Sequence, residues 1–311
     1  MSEELRFGIF VPVQFLPFPV AVEQCQFVET LGYDSLWLGD HFQNPVRVHD
    51  PMFEAWTLLA ALAARTTRIR LGILVSSFIA RNPALVAKQA LTVEHISNGR
   101  LELGLGAGER ATDHTMTGVE VWQPSERVAR FREAVAIVDH MLRYEITTFQ
   151  GRYYQVRDAV MRPPSLQQPR PPLTIGASGA ATMKIAAQYA DSWNTLDISM
   201  AEWRAGKQLP ALDALEAAQG QHAKLDEYCV KVGRQPHAIR RSLLAGYRVE
   251  APSDSIDAFY EYVERYRAIG FTEFIFYWLP DEYRSLVASR LRTFDQRMVE
   301  RVATEALPTL R

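Results

Sequence analysis

The stretch of sequence that decides the fold is "RIRLGILVSSFIARNPALVAKQALTVEHISNGRLELGLGAGE", which runs from Arg68 to Glu109. A short apolar run opens it, a longer run with apolar residues at helical spacing follows, and a second short apolar run closes it. Asn82 followed by Pro83 is typical of a helix start, with asparagine as the cap and proline in the first turn. The order predicts a strand, a helix and a second strand parallel to the first.

The same alternation extends over the whole chain of 311 residues and predicts an α/β fold. Eight repeats account for this length better than a doubly wound sheet, because a (β/α)8 TIM barrel typically takes about 250 residues plus insertions. We therefore expect one barrel domain over residues 1–311, with insertions at about 144–172, which contains a hairpin-like run, and about 199–233. The predicted strands are Leu5–Val11, Asp34–Leu38, Ile69–Val75, Leu101–Leu105, Leu173–Ile175, Ser192–Leu196, Ile239–Val249 and Phe274–Trp278. The predicted helices include Ala21–Leu31, Phe53–Arg65, Pro83–Ile96, one capped by Ser125, Ala180–Ala190 and Ile256–Ile269.

The composition favours a small-molecule partner. Lys and Arg number 34 and Asp and Glu 36, a formal net charge of -2, so no pull toward nucleic acid or an anionic membrane is expected. The amino terminus lacks the pattern of a signal peptide, and no apolar run approaches the roughly 20 residues of a membrane span. We therefore expect a cytoplasmic protein. Cys25 and Cys229 lie in separate helix-like stretches, which predicts two core residues rather than a disulfide or a zinc site.

Asp40 and His41 directly follow the second predicted strand, in "WLGDHFQNP". In a (β/α)8 barrel, chemistry takes place at the carboxyl ends of the strands. An imidazole there can accept a substrate proton near neutral pH. The alternative is a core histidine beside an aspartate that caps a loop. No metal site is expected, because most of the other histidines lie in loops or helices rather than at successive strand ends.

Glycines alternate after the fourth predicted strand, in "GLGAGERATDH" from Gly104 to His114. They do not complete a dinucleotide-binding fingerprint, which belongs to the first strand–helix unit of a different fold. At strand spacing Gly104, Gly106 and Gly108 point to one face and leave it bare, so a flat ring could lie there with Glu109 at its rim. A tight barrel corner with a surface glutamate is the alternative.

A second glycine turn, Gly176–Gly179, joins the strand that begins at Leu173 to the next helix. Free backbone N–H groups and the positive end of the helix dipole attract anions at such a place. Barrel enzymes also commonly keep a phosphate site late in the barrel. The turn therefore predicts a phosphate site, and a short loop capped by Ser178 is the alternative.

Taken together and in this order, these stretches resemble the luciferase-like superfamily of flavin- and deazaflavin-dependent oxidoreductases, which are TIM barrels that bind FMN or coenzyme F420. The resemblance is carried by "FGIFVP", "GYDSLWLGDHF", the run from Glu54 to Glu109 and "PPLTIGASGAATMKIAAQYADSWN", and covers most of residues 5–197. The pairing of "DHFQ" with "GAGE" is similar to the F420-dependent sugar-phosphate dehydrogenases of the superfamily.

The resemblance implies a cofactor site at the strand ends. A non-proline cis peptide between Leu74 and Val75 would press behind the ring, and Gly176–Gly179 would hold the cofactor phosphate. His41 would act as the base on the substrate hydroxyl, and Glu109 as the acid toward the deazaflavin. The residues expected to bind the cofactor are Asp40, Leu74, Val75, Ser77, Gly106, Ala107, Gly108, Thr112, Gly176, Ala177, Ser178 and Gly179.

The function expected from this resemblance is that of a coenzyme F420-dependent oxidoreductase. It would transfer hydride between C5 of the deazaflavin and an alcohol, a carbonyl compound or an activated alkene, and it would form a homodimer, as relatives often do. The alternative is an FMN-dependent monooxygenase that uses reduced flavin and O2. A third hypothesis is a flavin-binding barrel without catalysis, in which replacing His41 or Glu109 changes nothing.

Further contacts are expected around this site. Arg157, Arg162 and Arg170 in the first insertion are candidates for binding the acidic tail of F420. The other candidates are Arg110 and His114 at the rim, and Phe276 and Trp278, which either wall the substrate side or pack in the core.

Overall fold

Eight parallel strands form a closed barrel in the computed structural model, which describes residues 4–196, 211–247, 252–287 and 291–311. Around the barrel run β1 (Arg6–Phe10), β2 (Ser35–Leu38), β3 (Arg70–Ile73), β4 (Leu101–Leu105), β7 (Leu173–Gly176), β8 (Ser192–Leu196), β9 (Arg240–Ala245) and β10 (Glu273–Tyr277), and β10 pairs with β1. Outside it, β5 (Ile146–Gln150) and β6 (Gln155–Val160) form an antiparallel hairpin. The predicted (β/α)8 TIM barrel is confirmed, and each of the eight predicted strands overlaps one strand of the barrel.

Helices follow most barrel strands, as the alternation predicts. They are α1 (Phe18–Thr30), α2 (Ala55–Ala63), α3 (Pro83–Ile96), α4 (Ala111–Met116), α5 (Pro124–Arg143), α6 (Ala180–Tyr189), α7 (Ala211–Lys231), α8 (Ile256–Arg267), α9 (Asp281–Arg284), α10 (Gln296–Arg301) and α11 (Leu307–Leu310). The side chain of Asn82 accepts a hydrogen bond from the backbone N–H of Ala84, so the predicted start of α3 is confirmed. Within the described ranges, no helix combines the length and the apolar character needed to cross a membrane.

Some predicted boundaries are wrong. Gln123 rather than Ser125 is the cap of α5, because Pro124 takes the first helical position, where its missing N–H costs nothing. Strand β9 ends at Ala245, since Gly246 turns away with a φ of +133°. The end of the predicted strand Ile239–Val249 and residues 199–210 of the second insertion lie outside the described residues. That residues 1–311 form one domain stays a prediction.

The strands of the barrel alternate between its interior and the surrounding helices, as β10 illustrates. Phe276 packs outward, and its ring centroid lies 5.0 Å from that of Phe294. Trp278 also packs outward, and its ring centroid lies 5.4 Å from that of Phe27. Core packing therefore explains both, and the alternative that they wall the substrate side is wrong. Tyr277 instead points inward, because neighbouring residues of a strand face opposite sides. Its ring centroid lies 4.7 Å from that of Phe10.

A buried ion network fills the amino-terminal end of the barrel. Glu102 accepts a hydrogen bond from Arg6 at 2.7 Å and from Arg70 at 2.6 Å, and Arg240 lies 3.7 Å from Glu273. Burial opposes ionisation, but the arginines outweigh it and lower the pKa of Glu102 to about 2. Burial and the charge of Glu102 raise the pKa of Glu273. Because this end is filled by side chains, we look for the functional site at the opposite end of the strands.

Candidate active site

His41 forms a pair with a carboxylate that lies 72 residues further along the chain. Nδ1 of His41 is 3.4 Å from Oδ2 of Asp113, which lies in the first turn of α4. The backbone N–H of Phe42 donates to the other carboxylate oxygen at 3.3 Å. Because an ionised carboxylate only accepts hydrogen bonds, this contact favours the tautomer with the proton on Nδ1, which leaves the lone pair on Nε2 for a substrate proton. The pair therefore has the arrangement of an oriented general base.

Asp113 is held in its charged form. Burial would raise the pKa of its carboxyl group, but the hydrogen bond and charge of His41, the N–H of Phe42 and the charge of Arg110 together lower it. The carboxylate is thus ionised at neutral pH. It can fix the tautomer of His41 and stabilise the imidazolium that forms when the ring takes up a proton.

Asp40, the residue before His41, has its carboxylate held by hydrogen bonds from protein side chains. Both of its oxygens accept hydrogen bonds from the guanidinium group of Arg81, at 2.7 and 2.9 Å, and Ser76 donates to it at 2.8 Å. Trp56 donates in turn to the hydroxyl of Ser76, and Arg81 also pairs with Glu54. This network ties the connection that carries His41 to the segment after β3. The role of Asp40 in binding a cofactor stays a prediction.

The segment after β3 contains the expected bulge. The peptide bond between Leu74 and Val75 is cis, as the resemblance implies. Beyond it the chain rejoins β4, because Ser76 donates its N–H to the carbonyl of Gly104 and accepts one from Gly106, each at 2.9 Å. The Val75 side chain therefore points toward Gly106, which follows β4, and Gly176, which ends β7.

Glycines in and after β4, and at the end of β7, make room for this bulge. A β-carbon on Gly106 would lie 2.2 Å from Cγ2 of Val75, and one on Gly176 would lie 3.0 Å from its Cγ1. A β-carbon on Gly104 would lie 2.0 Å from the carbonyl oxygen of Ile73. The prediction of a bare glycine face is therefore wrong, since the chain that follows β3 occupies the space in front of it. These glycines accommodate that chain, and the role of Gly106, Ala107 and Gly108 in binding a cofactor stays a prediction.

The contact between Gly106 and Val75 yields a test of the bulge. We expect Gly106→Ala to lower the free energy of unfolding by about 1–3 kcal/mol, the usual cost of overpacking, because its methyl group would overlap Val75. Combining it with Val75→Ala should recover part of that loss. The measurement is urea unfolding of the two single variants and the double variant.

Gly220→Ala is the matched control, because Gly220 lies within α7 and a β-carbon there would meet nothing within 4 Å. It should raise stability, by about 0.5–1 kcal/mol, through helix propensity alone. A Gly106→Ala variant as stable as the original chain would contradict the packing described.

The turn between β7 and α6 is open to solvent where a phosphate is expected. Ser178 and Gly179 are exposed, and Ala177 is buried with its N–H bonded to the carbonyl of Asn194. Gly179 is the cap of α6 and no side chain caps this helix, so the alternative of a loop capped by Ser178 is wrong. Backbone N–H groups at an exposed helix start fit an anion. A phosphate at this turn stays a prediction.

The remaining predicted residues lie on the connection from β4 to α4 or next to it. Ala107 and Gly108 are half-buried, and a β-carbon on Gly108 would lie 3.1 Å from Cβ of Ser77. Glu109 is exposed on this connection, and Thr112 is exposed in α4 next to Asp113. The glycine loop thus brings Glu109 to the strand ends, and its role as an acid stays a prediction.

Several other predictions about this region are wrong. Arg170 is buried in ion pairs with Asp139 and Asp191 at the start of β7, and Arg162 pairs with Glu145, so both lie at the end of the barrel opposite the glycine turns. His114 is buried rather than at the rim. Its Nδ1 lies 2.9 Å from the carbonyl of residue 120. The prediction that Arg162 and Arg170 bind the tail of F420 rests on their place in an insertion. That place does not indicate at which end of the barrel an arginine lies.

Asp113 was not found from the sequence. An acidic residue in the first turn of a helix is common, because it complements the helix dipole, so it carries no signal of its own. The one available hint is that it follows a barrel strand closely, as Asp40 and His41 do.

Comparisons with known proteins identify the family of the chain. A family model described as luciferase-like monooxygenase matches residues 5–304. An F420-dependent glucose-6-phosphate dehydrogenase of Microbacterium testaceum (strain StLB037) is 34% identical over 224 residues, covering 68% of this chain and 63% of that protein. A phthiodiolone/phenolphthiodiolone dimycocerosates ketoreductase of Mycobacterium kansasii is 29% identical over 246 residues, covering 73% of this chain and 62% of that protein.

Among solved structures, an F420-dependent secondary alcohol dehydrogenase in complex with an F420-acetone adduct matches with a TM-score of 0.75 and 18% identity, over 99% of both chains. This likeness establishes the fold. The alignments with the two curated relatives cover less than two thirds of the length of those proteins. The family model matches nearly the whole chain, and the chain belongs to the luciferase-like monooxygenase family.

Proposed function

We propose that the protein is a coenzyme F420-dependent oxidoreductase that transfers hydride between the deazaflavin and an alcohol, a carbonyl compound or an activated alkene. The observation that carries the proposal is the His41–Asp113 pair at the carboxyl end of the barrel, next to the Leu74–Val75 bulge. The names of two relatives support it, one an F420-dependent glucose-6-phosphate dehydrogenase and the other a ketoreductase.

The residues present fit such a cofactor. The exposed turn at Ser178 and Gly179 offers N–H groups at the start of a ten-residue helix to a phosphate. Val75, wedged against Gly106 and Gly176, forms a firm apolar support at the strand ends, against which a flat ring can pack. When bound, F420 would supply C5 as the position that takes up or releases hydride.

The residues of the chain would manage the proton. In oxidation of an alcohol, Nε2 of His41 accepts the hydroxyl proton, and in reduction of a carbonyl group it returns it. Asp113 holds the ring in position and stabilises its charged form. Glu109, exposed on the neighbouring connection, would exchange a proton with the deazaflavin ring.

The proposed function includes three statements that the family assignment does not contain. The first is the choice of F420, and FMN with O2 is the alternative because the family is described as luciferase-like monooxygenase. The second is a homodimer, and the third is a cytoplasmic location. For the assembly, light scattering of the purified chain gives the mass directly.

The test of the cofactor is a fluorescence titration of the purified protein with F420 and, separately, with FMN. We expect F420 to bind at least about tenfold more tightly, a difference of about 1.4 kcal/mol. Ser178→Asp should weaken that binding, because it places a carboxylate where the phosphate is expected. Ser125→Asp is the control, since Ser125 is likewise exposed at a helix start but belongs to α5.

The reverse preference would overturn the choice of F420 and favour the FMN monooxygenase. Unchanged binding of F420 by Ser178→Asp would contradict the phosphate site at the turn while leaving the choice of cofactor intact.

A further inference from the structure

Exposed apolar side chains crowd the two connections that carry the His41–Asp113 pair. On the connection from β2 to α2, Phe42 is 59% exposed, and Val48 and Phe53 are exposed as well. On the side of α4, Met116 and Val121 are exposed. We call these five side chains the apolar rim. Single exposed apolar residues are ordinary, but five on two adjoining connections call for an explanation.

Hydrogen bonds join the two connections into one surface. Asp113 binds the ring of His41 and the N–H of Phe42, and Arg110 donates to the carbonyl of Pro45 at 3.1 Å. Phe53 is next to Glu54, whose partner Arg81 holds Asp40. The segments that carry the apolar rim are therefore fastened to each other at the candidate catalytic pair, and Phe42 directly follows His41.

The inner end of the site is apolar too. Phe10, Leu74, Leu244 and Tyr277 form one cluster at the carboxyl end of the barrel interior. A β-carbon on Gly39 would lie 3.3 Å from the ring of Phe10, two residues before His41. The chain that leads from β2 to His41 therefore passes beside this cluster, which is apolar except for the hydroxyl of Tyr277.

Three arginines on or beside these connections already bond groups of the protein. Arg81 is bound by Asp40 and Glu54, Arg47 lies 3.0 Å from Asp50, and Arg110 bonds a backbone carbonyl. A phosphorylated substrate needs cationic groups that can turn toward it. These three arginines do not favour one, whereas the apolar rim favours a hydrocarbon.

We infer that the substrate is an uncharged, apolar ketone or the matching secondary alcohol, with its hydrocarbon part lying on the apolar rim. This rests on the proposed F420-dependent function. In oxidation, the carbinol carbon gives its hydride to C5 of F420 and the hydroxyl proton goes to Nε2 of His41, so the ketone forms and F420 takes up both electrons. Reduction runs the same transfers backward.

The test measures kcat/KM with F420 for 2-alkanols of increasing length, from 2-propanol upward, and for glucose 6-phosphate. Each added methylene should raise kcat/KM by up to about fourfold while the chain still finds apolar surface to cover. Phe42→Ser should flatten this dependence and lower kcat/KM most for the longest alcohol. Val230→Ser is the control, since Val230 is similarly exposed but lies on α7, and it should leave the dependence unchanged.

The outcomes separate this inference from the function on which it rests. Binding of F420 with turnover of glucose 6-phosphate or activated alkenes in preference to long alkanols overturns the inference and leaves the F420-dependent function standing. A flat dependence on chain length with F420 turnover also overturns it. Absence of F420 binding overturns the proposed function and the inference together.

Discussion

Replacing His41 with alanine is expected to lower kcat for alcohol oxidation by about 10² to 10⁴ fold, the usual contribution of a well-placed general base. The loss follows from the removal of Nε2, the atom that would accept the hydroxyl proton while Nδ1 faces Asp113. Affinity for F420 should change little, because the ring of His41 serves the substrate. The measurement is steady-state reduction of F420 together with a fluorescence titration of its binding.

Substitutions of Asp113 give a more specific test of the same pair. In Asp113→Asn the amide can donate to Nδ1, which favours the tautomer with the proton on Nε2 and removes the acceptor. We expect a drop in kcat of about tenfold to a hundredfold, with part of the activity kept in Asp113→Glu.

A merely structural role for Asp113 makes a different forecast. The two substitutions would then lower the midpoint of thermal unfolding without lowering kcat of the folded enzyme, and Asp113→Glu would keep no more activity than Asp113→Asn. Wild-type kcat in His41→Ala would refute the base assignment, whereas F420 binding without turnover in the original chain would favour the barrel that binds a flavin without catalysis.

Sequence reasoning recovered the fold because the signals of this fold are local. Each barrel strand is a short apolar run, and Pro83 after Asn82 marks the start of α3 within two residues. The prediction of the bulge at Leu74 and Val75 rests on the family resemblance. A resemblance includes knowledge of the structures of relatives, which a single sequence does not contain. Strand ends then placed His41 and Glu109 on the correct side of the barrel.

What sequence reasoning missed depends on contacts between distant residues. The pairing of His41 with Asp113 exists only once the barrel has closed, because 72 residues separate the two. The glycine pattern of β4 correctly signalled a close approach, but nothing local indicated that Val75, more than 30 residues earlier, is what approaches Gly106. Arg170 shows the same limit, since its partners Asp139 and Asp191 lie on separate elements.

Removing the guanidinium group of Arg81 should cost the protein about 3–5 kcal/mol of unfolding free energy, because it leaves a buried carboxylate without its cation. Arg81 makes two hydrogen bonds to Asp40, whose side chain is only 4% exposed. We expect Arg81→Met to unfold at clearly lower urea concentration. Asp40→Asn in the same chain should restore much of the loss, since the neutral amide no longer needs a cation.

The matched control for this experiment is the exposed pair of Arg162 and Glu145, in which both side chains are more than half exposed. Arg162→Met should cost no more than about 1 kcal/mol, as surface ion pairs do. If Arg81→Met costs as little as Arg162→Met, Asp40 is not held by Arg81, and its carboxylate is available to a ligand as the family resemblance implies. If the large loss is found and the double variant recovers it, Asp40 acts by fixing the connection that carries His41 to the bulge at Val75.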